Sequence, residues 1–260
     1  MAGHLIADIL KTVEHRTYPL PRGPWVMRQT WRDLLFAHWP FPPHALQALL
    51  PAALELDTYG GQAWLGVVPF AMRDVHPRGL WSVGGLSHFL ELNVRTYVRA
   101  EEHGIVKPGV YFFSLDAANP IAVALARKFF RLPYFTAQMA QWETRAGWIE
   151  YRSRRTHARA APAGFSAAYR PTGRVYLSTP GTLDHWLTER YALYTVDPKG
   201  RPYIGEIHHV PWPLQPAAAE LAAGDLVGAS AALRLPDLPP LLHFARRIDM
   251  AAWPLRRLRP

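Results

Sequence analysis

The 260-residue chain contains no cysteine, only four lysines, and no apolar run as long as a membrane span. The missing cysteine excludes disulfides, thiolate catalysis and thiolate metal sites, and it suits a reducing compartment, so the cytoplasm is the expected location. No signal peptide is expected, because the N-terminal stretch lacks a basic start and a continuous apolar core, and no membrane-spanning helix is expected on length. The sequence also lacks a glycine-rich phosphate loop, a dinucleotide fingerprint, a Gly-x-Ser-x-Gly elbow, a Ser-x-x-Lys pair, a His-Glu-x-x-His motif and any internal repeat. Neither a cofactor nor a metal ion is therefore expected. Amine chemistry is confined to Lys11, Lys107, Lys128 and Lys199.

What the chain does have is 49% hydrophobic residues, enough for a large core, cut into short β-branched and aromatic runs by 25 prolines and 18 glycines. That punctuation predicts a strand-rich fold. The formal net charge is +9 and the sequence pI is about 10.0, which raises polyanion binding as a hypothesis. The basic residues are nearly all arginines and are scattered, apart from Arg152, Arg154, Arg155 and Arg159 and the tail Arg256, Arg257 and Arg259. Nucleic-acid binding is accordingly disfavoured, and the strand Trp148 to Arg155, with arginine on both faces, reads as partly solvated.

The most informative stretch runs from Ser87 to Phe135. Taken as a strand, it alternates Phe89, Glu91, Asn93, Arg95 and Tyr97 on one side with Leu90, Leu92, Val94, Thr96 and Val98 on the other. One face is aliphatic, whereas the other is rich in hydrogen-bonding groups of fixed geometry, unlike the Lys, Thr and Ser of an ordinary solvent face. Val110 to Leu115 predicts a second strand, followed by a helix with Asn119 as cap and Pro120 at its first position. Pro133 ends that helix, with Arg127 in its last turns.

Around this centre, residues 1–24 read as an N-terminal amphipathic helix, with Leu5, Ile6, Ile9, Leu10 and Val13 at helical spacing, followed by a proline-rich linker. Residues 25–260 read as a single β-rich domain. Trp25 to Phe36 predicts a strand running into a helical turn, and His44 to Leu50 a helix. Leu54 to Tyr59 and Ala63 to Met72 predict a hairpin about Gly60-Gly61. Strands are expected over Thr136 to Glu143, Trp148 to Arg155, Phe165 to Arg170 and Val175 to Ser178. A helix capped by Thr182 and a hairpin over Tyr191 to His209 follow. The alanine-rich Leu214 to Leu226 reads as helix or connector, and Leu241 to Met250 as a closing strand. His38, among aromatics, reads as a structural hydrogen bonder. Glu189-Arg190-Tyr191 and His208-His209 stand out without an assigned role, except that adjacent strand histidines face opposite ways and cannot share a metal, so one of the two is expected at a pocket.

The blocks GGQAWLGVVPF, FLELNVRTYV, GVYFFSLDA, ARKFFRLPYF, GTLDHWLTERYALY and EIHHVPWPLQ together resemble the YqjF-like family across nearly the whole chain. That family is similar, more distantly, to the acetoacetate decarboxylase-like superfamily, whose Tyr-x-Glu strand precedes a helix ending Gly-Arg-Glu-x-Trp-Gly-x-Pro-Lys-Lys. Phe89 and Glu91 match the first motif, and Arg127 and Pro133 match the Arg and Pro of the second. Where the decarboxylases carry adjacent lysines, this chain has Tyr134 and Phe135, which form no imine. Lys128, next to Arg127 on the helix, points about 100° away from it.

The resemblance implies an α+β, β-rich fold: a closed or nearly closed antiparallel β-barrel with peripheral helices, enclosing a small-molecule pocket. The expected site comprises Glu91, Tyr134 and His208 as catalytic candidates and Asn93, Arg95, Tyr97, Arg127 and His209 as ligand-binding candidates. The expected partner is a small anionic, keto-acid-like compound held by arginine. Three readings stay open: an enzyme of lyase or isomerase type working without a Schiff-base lysine, a non-catalytic binder or sensor, and a basic interaction module. The sequence leaves the oligomeric state undetermined.

Overall fold

The computed structural model describes residues 6–83 and 87–259. Of the expected N-terminal helix, α1 is Ile6–Lys11; Met1 to Leu5 lie outside the described residues. Strand β1 (Met27–Phe41), helix α2 (Pro43–Gln47), β2 (Glu55–Leu56), β3 (Ala63–Pro77), β4 (Phe89–Glu102) and β5 (Ile105–Ala117) form the first half. Helix α3 (Pro120–Phe130) leads into β6 (Tyr134–Glu143), β7 (Ile149–Arg155) and β8 (Gly164–Pro171). Helix α4 (Leu183–Thr188), β9 (Ala192–Val196), β10 (Pro202–His209), β11 (Leu214–Ala222), α5 (Gly224–Ala231), β12 (Leu241–Ala252) and β13 (Arg256–Arg257) complete the chain.

These strands make one 13-stranded sheet. Nine of them, β5-β6-β7-β8-β11-β12-β1-β3-β4, run round to meet again at β5 in a ring. A second path, β5-β9-β10-β12, crosses the ring and shares its β12-β1-β3-β4-β5 wall. The architecture is thus the β-rich, nearly closed strand ring with outlying helices that the sequence implies. It is antiparallel except where β5 pairs in parallel with β6 and with β9. Gly109 permits the second of these joins, since a Cβ there would lie 2.5 Å from the Ala192 carbonyl oxygen.

Because strand side chains alternate, the shared wall feeds two cores. On β4, Leu92, Val94 and Val98 enter a core with Leu65, Tyr151 and Phe244, whereas Phe89 enters a second with Phe36, Phe70, Leu115, Tyr134 and Trp212. Tyr97 packs with Val110 and Leu187 in a smaller cluster closing one end.

Helix α3 begins as expected. Asn119 Oδ1 accepts from the amides of Ile121 and Ala122 at 3.0 and 3.1 Å, a cap worth about 1 kcal/mol. Only Val123 of this helix is buried, so its Ile121, Leu125 and Phe129 face stands free.

Several local expectations are corrected. β1 continues through Phe41 without a helical turn; the irregularity is absorbed by Asp33, at φ +54°, and a register shift against β3. β2 pairs with β4 and not with β3, so Leu54 to Met72 is no hairpin, and the Gly60-Gly61 turn is closed by the Tyr59–Gln62 bridge. Val175 to Ser178 makes one bridge, Tyr176 to Leu214, instead of a strand. The alanine-rich segment is strand β11, paired with β8 and β12, and a helix (α5) follows it where none was expected.

Candidate functional site

A cavity of about 400 Å³ lies within the second core. β4 supplies Phe89, Glu91 and Arg95, β5 supplies Val110, Phe112 and Leu115, and Trp31, Trp212, Tyr134, Arg190 and His209 come from elsewhere in the chain.

Glu91, matched above to the decarboxylase Tyr-x-Glu strand, and Tyr134, which stands where those enzymes carry a lysine, meet here. The Tyr134 hydroxyl donates to Glu91 Oε2 at 2.8 Å, and the Tyr151 hydroxyl fixes the strand behind them by donating to the Glu91 carbonyl at 2.8 Å. Burial pushes the Glu91 carboxyl up to about 8 against the opposing pull of the Tyr134 hydrogen bond, so it holds its proton near neutral pH. Burial, reinforced by Glu91, raises the Tyr134 phenol well above its ordinary value. The pair is a neutral proton donor in an apolar wall.

Arg95 is the other pole. Its Nη2 donates weakly to the Tyr97 hydroxyl at 3.4 Å, its guanidinium lies over the Phe36 and Tyr97 rings, and its Nε is buried without a partner. No carboxylate among the described residues pairs with it. Arg190, by contrast, donates to Asp57 Oδ2 at 2.6 Å and to the Trp186 carbonyl at 2.5 Å, leaving its buried Nη2 unpartnered. The Trp212 indole N–H is a third buried donor without an acceptor. All the buried, unpartnered polar atoms contributed by the cavity's lining residues are therefore N–H donors.

Tyr97 lies behind Arg95 and outside the lining. Its hydroxyl is 2.6 Å from His38 Nε2 and donates at 3.0 Å to the Leu187 carbonyl. A carbonyl only accepts, so with the phenolic proton directed there His38 donates from Nε2. Burial, then Arg95, pulls the His38 ring well below its usual value, which keeps it neutral. His38 is the structural hydrogen bonder expected. Gly66 makes room for both, since a Cβ there would crowd His38 at 3.1 Å and Arg95 at 3.3 Å.

The remaining candidates divide. His209 lines the cavity; its Nδ1 donates to the Val210 carbonyl at 2.7 Å, leaving Nε2 as an acceptor, and burial pulls its value down to about 3. His208 is not brought to the cavity. Strand alternation turns it to the other face of β10, where Nε2 bonds the Ile9 carbonyl at 2.9 Å and Nδ1 meets Arg16 at 3.2 Å, so it fastens α1. Arg127 also stays outside, donating to the Tyr134 carbonyl at 2.6 Å and so holding that residue from behind. Asn93 is buried away from the lining, with its Oδ1 unpartnered.

Arg190, Trp31 and Trp212 were missed as site residues. Only Arg190 carried a signal, in the Glu189-Arg190-Tyr191 run. Among the described residues no lysine reaches the cavity: Lys107 is held between Glu102 and Glu206, each at 3.2 Å. Among the described residues no group of three or more His, Asp or Glu gathers for a metal, and no helix is long and apolar enough to cross a membrane.

The nine-strand ring with its shared wall and outlying helices defines a β-rich protein of acetoacetate decarboxylase-like fold. Solved structures agree on the fold. The enduracididine biosynthesis enzyme MppR complexed with pyruvate aligns with a TM-score of 0.58 at 15% identity, covering 91% of each chain. An acetoacetate decarboxylase from Legionella pneumophila aligns at 0.58 and 13% identity over 100% of this chain and 96% of its own. The chain itself belongs to the DUF2071 family, described as an uncharacterized conserved protein, whose profile matches residues 28–249. It is 46% identical over 244 residues to the uncharacterized protein YqjF of Bacillus subtilis strain 168, covering 94% of this chain and 97% of that one.

Proposed function

We propose that the cavity binds a small carboxylate, keto-acid-like in chemistry, through Arg95 and Arg190, with Glu91 as the proton donor or acceptor beside it. The observation that carries this reading is the donor imbalance: three buried N–H groups await acceptors, and Arg95 has no anion of its own. An uncompensated guanidinium in an apolar site costs several kcal/mol, which an incoming carboxylate offsets with charge-assisted hydrogen bonds. MppR, which shares the fold, has a solved structure complexed with pyruvate, a compound of this class. Among the described residues no lysine lines the cavity for imine chemistry. The turnover proposed is proton exchange at the carbon next to the carbonyl, in which Glu91 in its ionised form takes the proton and returns it, with the Tyr134 hydroxyl donating to the carboxylate.

The test is proton NMR of pyruvate and 2-oxobutyrate in deuterated buffer, alongside calorimetric titration. Binding lost in Arg95→Met supports the pocket. Exchange at C3 that disappears in Glu91→Gln assigns the acid/base role, whereas binding without exchange makes the protein a binder. No heat with any carboxylate overturns the reading.

A further inference from the structure

The polar groups and the entrance lie at different levels of the cavity. Along β4, Arg95 pairs with Gly66, Glu91 with Phe70 and Phe89 with Met72, so the strand descends from Phe89 to Arg95. Four steps of strand separate Glu91 from Arg95, roughly 13 Å between their α-carbons. The entrance is at the Phe89 end, where β3 runs out at Pro77 and α3 begins. Its rim is made of Leu80, Trp81 and Val83 from the β3–β4 connection and Ile121 and Leu125 from α3. These five line the cavity yet are 51 to 90% exposed. At the far end Tyr97, Val110 and Leu187 are packed shut. Between rim and floor the walls are Met72, Phe112, Leu115, Phe130 and Leu132.

The space also exceeds what a three-carbon acid fills. A volume near 400 Å³ corresponds to roughly thirteen water-sized units, against about six non-hydrogen atoms in pyruvate.

We infer that the physiological ligand is an amphiphilic carboxylate, seated with its charged head on Arg95 at the floor, its carbonyl region beside Glu91, and an apolar tail running out to the Trp81–Leu125 rim. This rests on the carboxylate reading above and adds the tail. The rim is then the part of the site that selects chain length, which explains why apolar side chains there remain uncovered when the cavity is empty of protein groups.

The experiment is a calorimetric series of straight-chain 2-oxo acids, from pyruvate to 2-oxodecanoate, on the full chain. Affinity rises about threefold to fourfold per methylene until the tail emerges from the rim. Ile121→Ser and Leu125→Ser, both at exposed positions that leave the core intact, weaken the eight- and ten-carbon acids several-fold and leave pyruvate unchanged. Affinity independent of chain length, with Arg95-dependent binding retained, overturns the tail and spares the carboxylate pocket. Long acids that bind equally well to Arg95→Met, or ignore both rim variants, overturn the seating. No binding at any length removes both readings together.

Discussion

The Tyr134 hydroxyl donates to Glu91 Oε2 at 2.8 Å, joining β6 to β4 inside an apolar wall. The Tyr134 phenol is thus committed to the glutamate, and in the proposed function the glutamate's proton carries the chemistry.

That proton makes stability depend on pH. Burial raises the Glu91 value from 4.5 to about 8. Between those values the folded chain keeps a proton that the unfolded chain releases, so stability from this group is full below pH 4.5, falls as pH rises, and levels off above about 8. The loss is at most about 4 to 5 kcal/mol. Glu91→Gln removes this decline, so its melting temperature no longer falls between pH 6.5 and 8 and exceeds wild type at pH 9. Identical pH profiles for the two proteins would show that Glu91 is ionised in the fold.

Removing the donor sharpens the same point. In Tyr134→Phe the Glu91 carboxylate loses the one hydrogen bond that favours its charged form, so the midpoint of the stability decline moves to higher pH. The fold loses about 1 to 3 kcal/mol for the unsatisfied group. Denaturant unfolding at several pH values measures both.

In the proposed function Arg95 trades stability for binding. With no carboxylate partner in the fold, its replacement by methionine raises the melting temperature of the ligand-free protein by a few degrees, while carboxylates no longer shift it. A variant less stable than wild type would mean that Arg95 serves the fold first.

Two ion pairs on the same chain contrast in worth. Arg155 and Asp116 meet at 2.8 Å with both side chains almost fully buried, and Arg155 also stacks on Phe135 at 4.2 Å. Asp116→Ala strands that guanidinium and costs about 3 to 5 kcal/mol. Arg99 and Glu55 pair in solvent, so Glu55→Ala costs less than about 1 kcal/mol. Urea unfolding of the two variants gives the comparison.

His208 gives a slope of opposite sign to that of Glu91. Burial lowers its ring to about 4 from 6.5. The unfolded chain gains a proton below pH 6.5 while the folded chain stays neutral, so stability from this group is full above 6.5 and is lost as pH falls toward 4. Measured in the Glu91→Gln background, where the opposing decline is gone, the melting temperature drops on acidification. Adding His208→Gln makes that drop shallower.

Alternation along Phe89 to Tyr97 made β4 legible and brought Glu91 and Arg95 to one cavity, and Asn119-Pro120 fixed the start of α3. Alternation also required His208 and His209 to part. Which of them turns inward depends on the pairing of β10 with β9 and β12, which no local pattern carries. Arg190, Trp31 and Trp212 reach the cavity from segments far apart in the chain, so their meeting belongs to topology. β11 was misread because its Ala-Ala-Ala-Glu-Leu run has helical propensity; pairing with β8 and β12 overrode it.

Strand β12 is the seam of the molecule, with Met27 opposite Ala252 at one end of its pairing with β1 and His38 opposite Leu241 at the other. On the ribosome, β1 emerges before β12 and waits for it with one edge bare. The order of manufacture and the order of closure are opposed. Through that interval the nascent chain carries an open strand edge and an unroofed apolar chamber, the two features that expose a folding chain to mispairing.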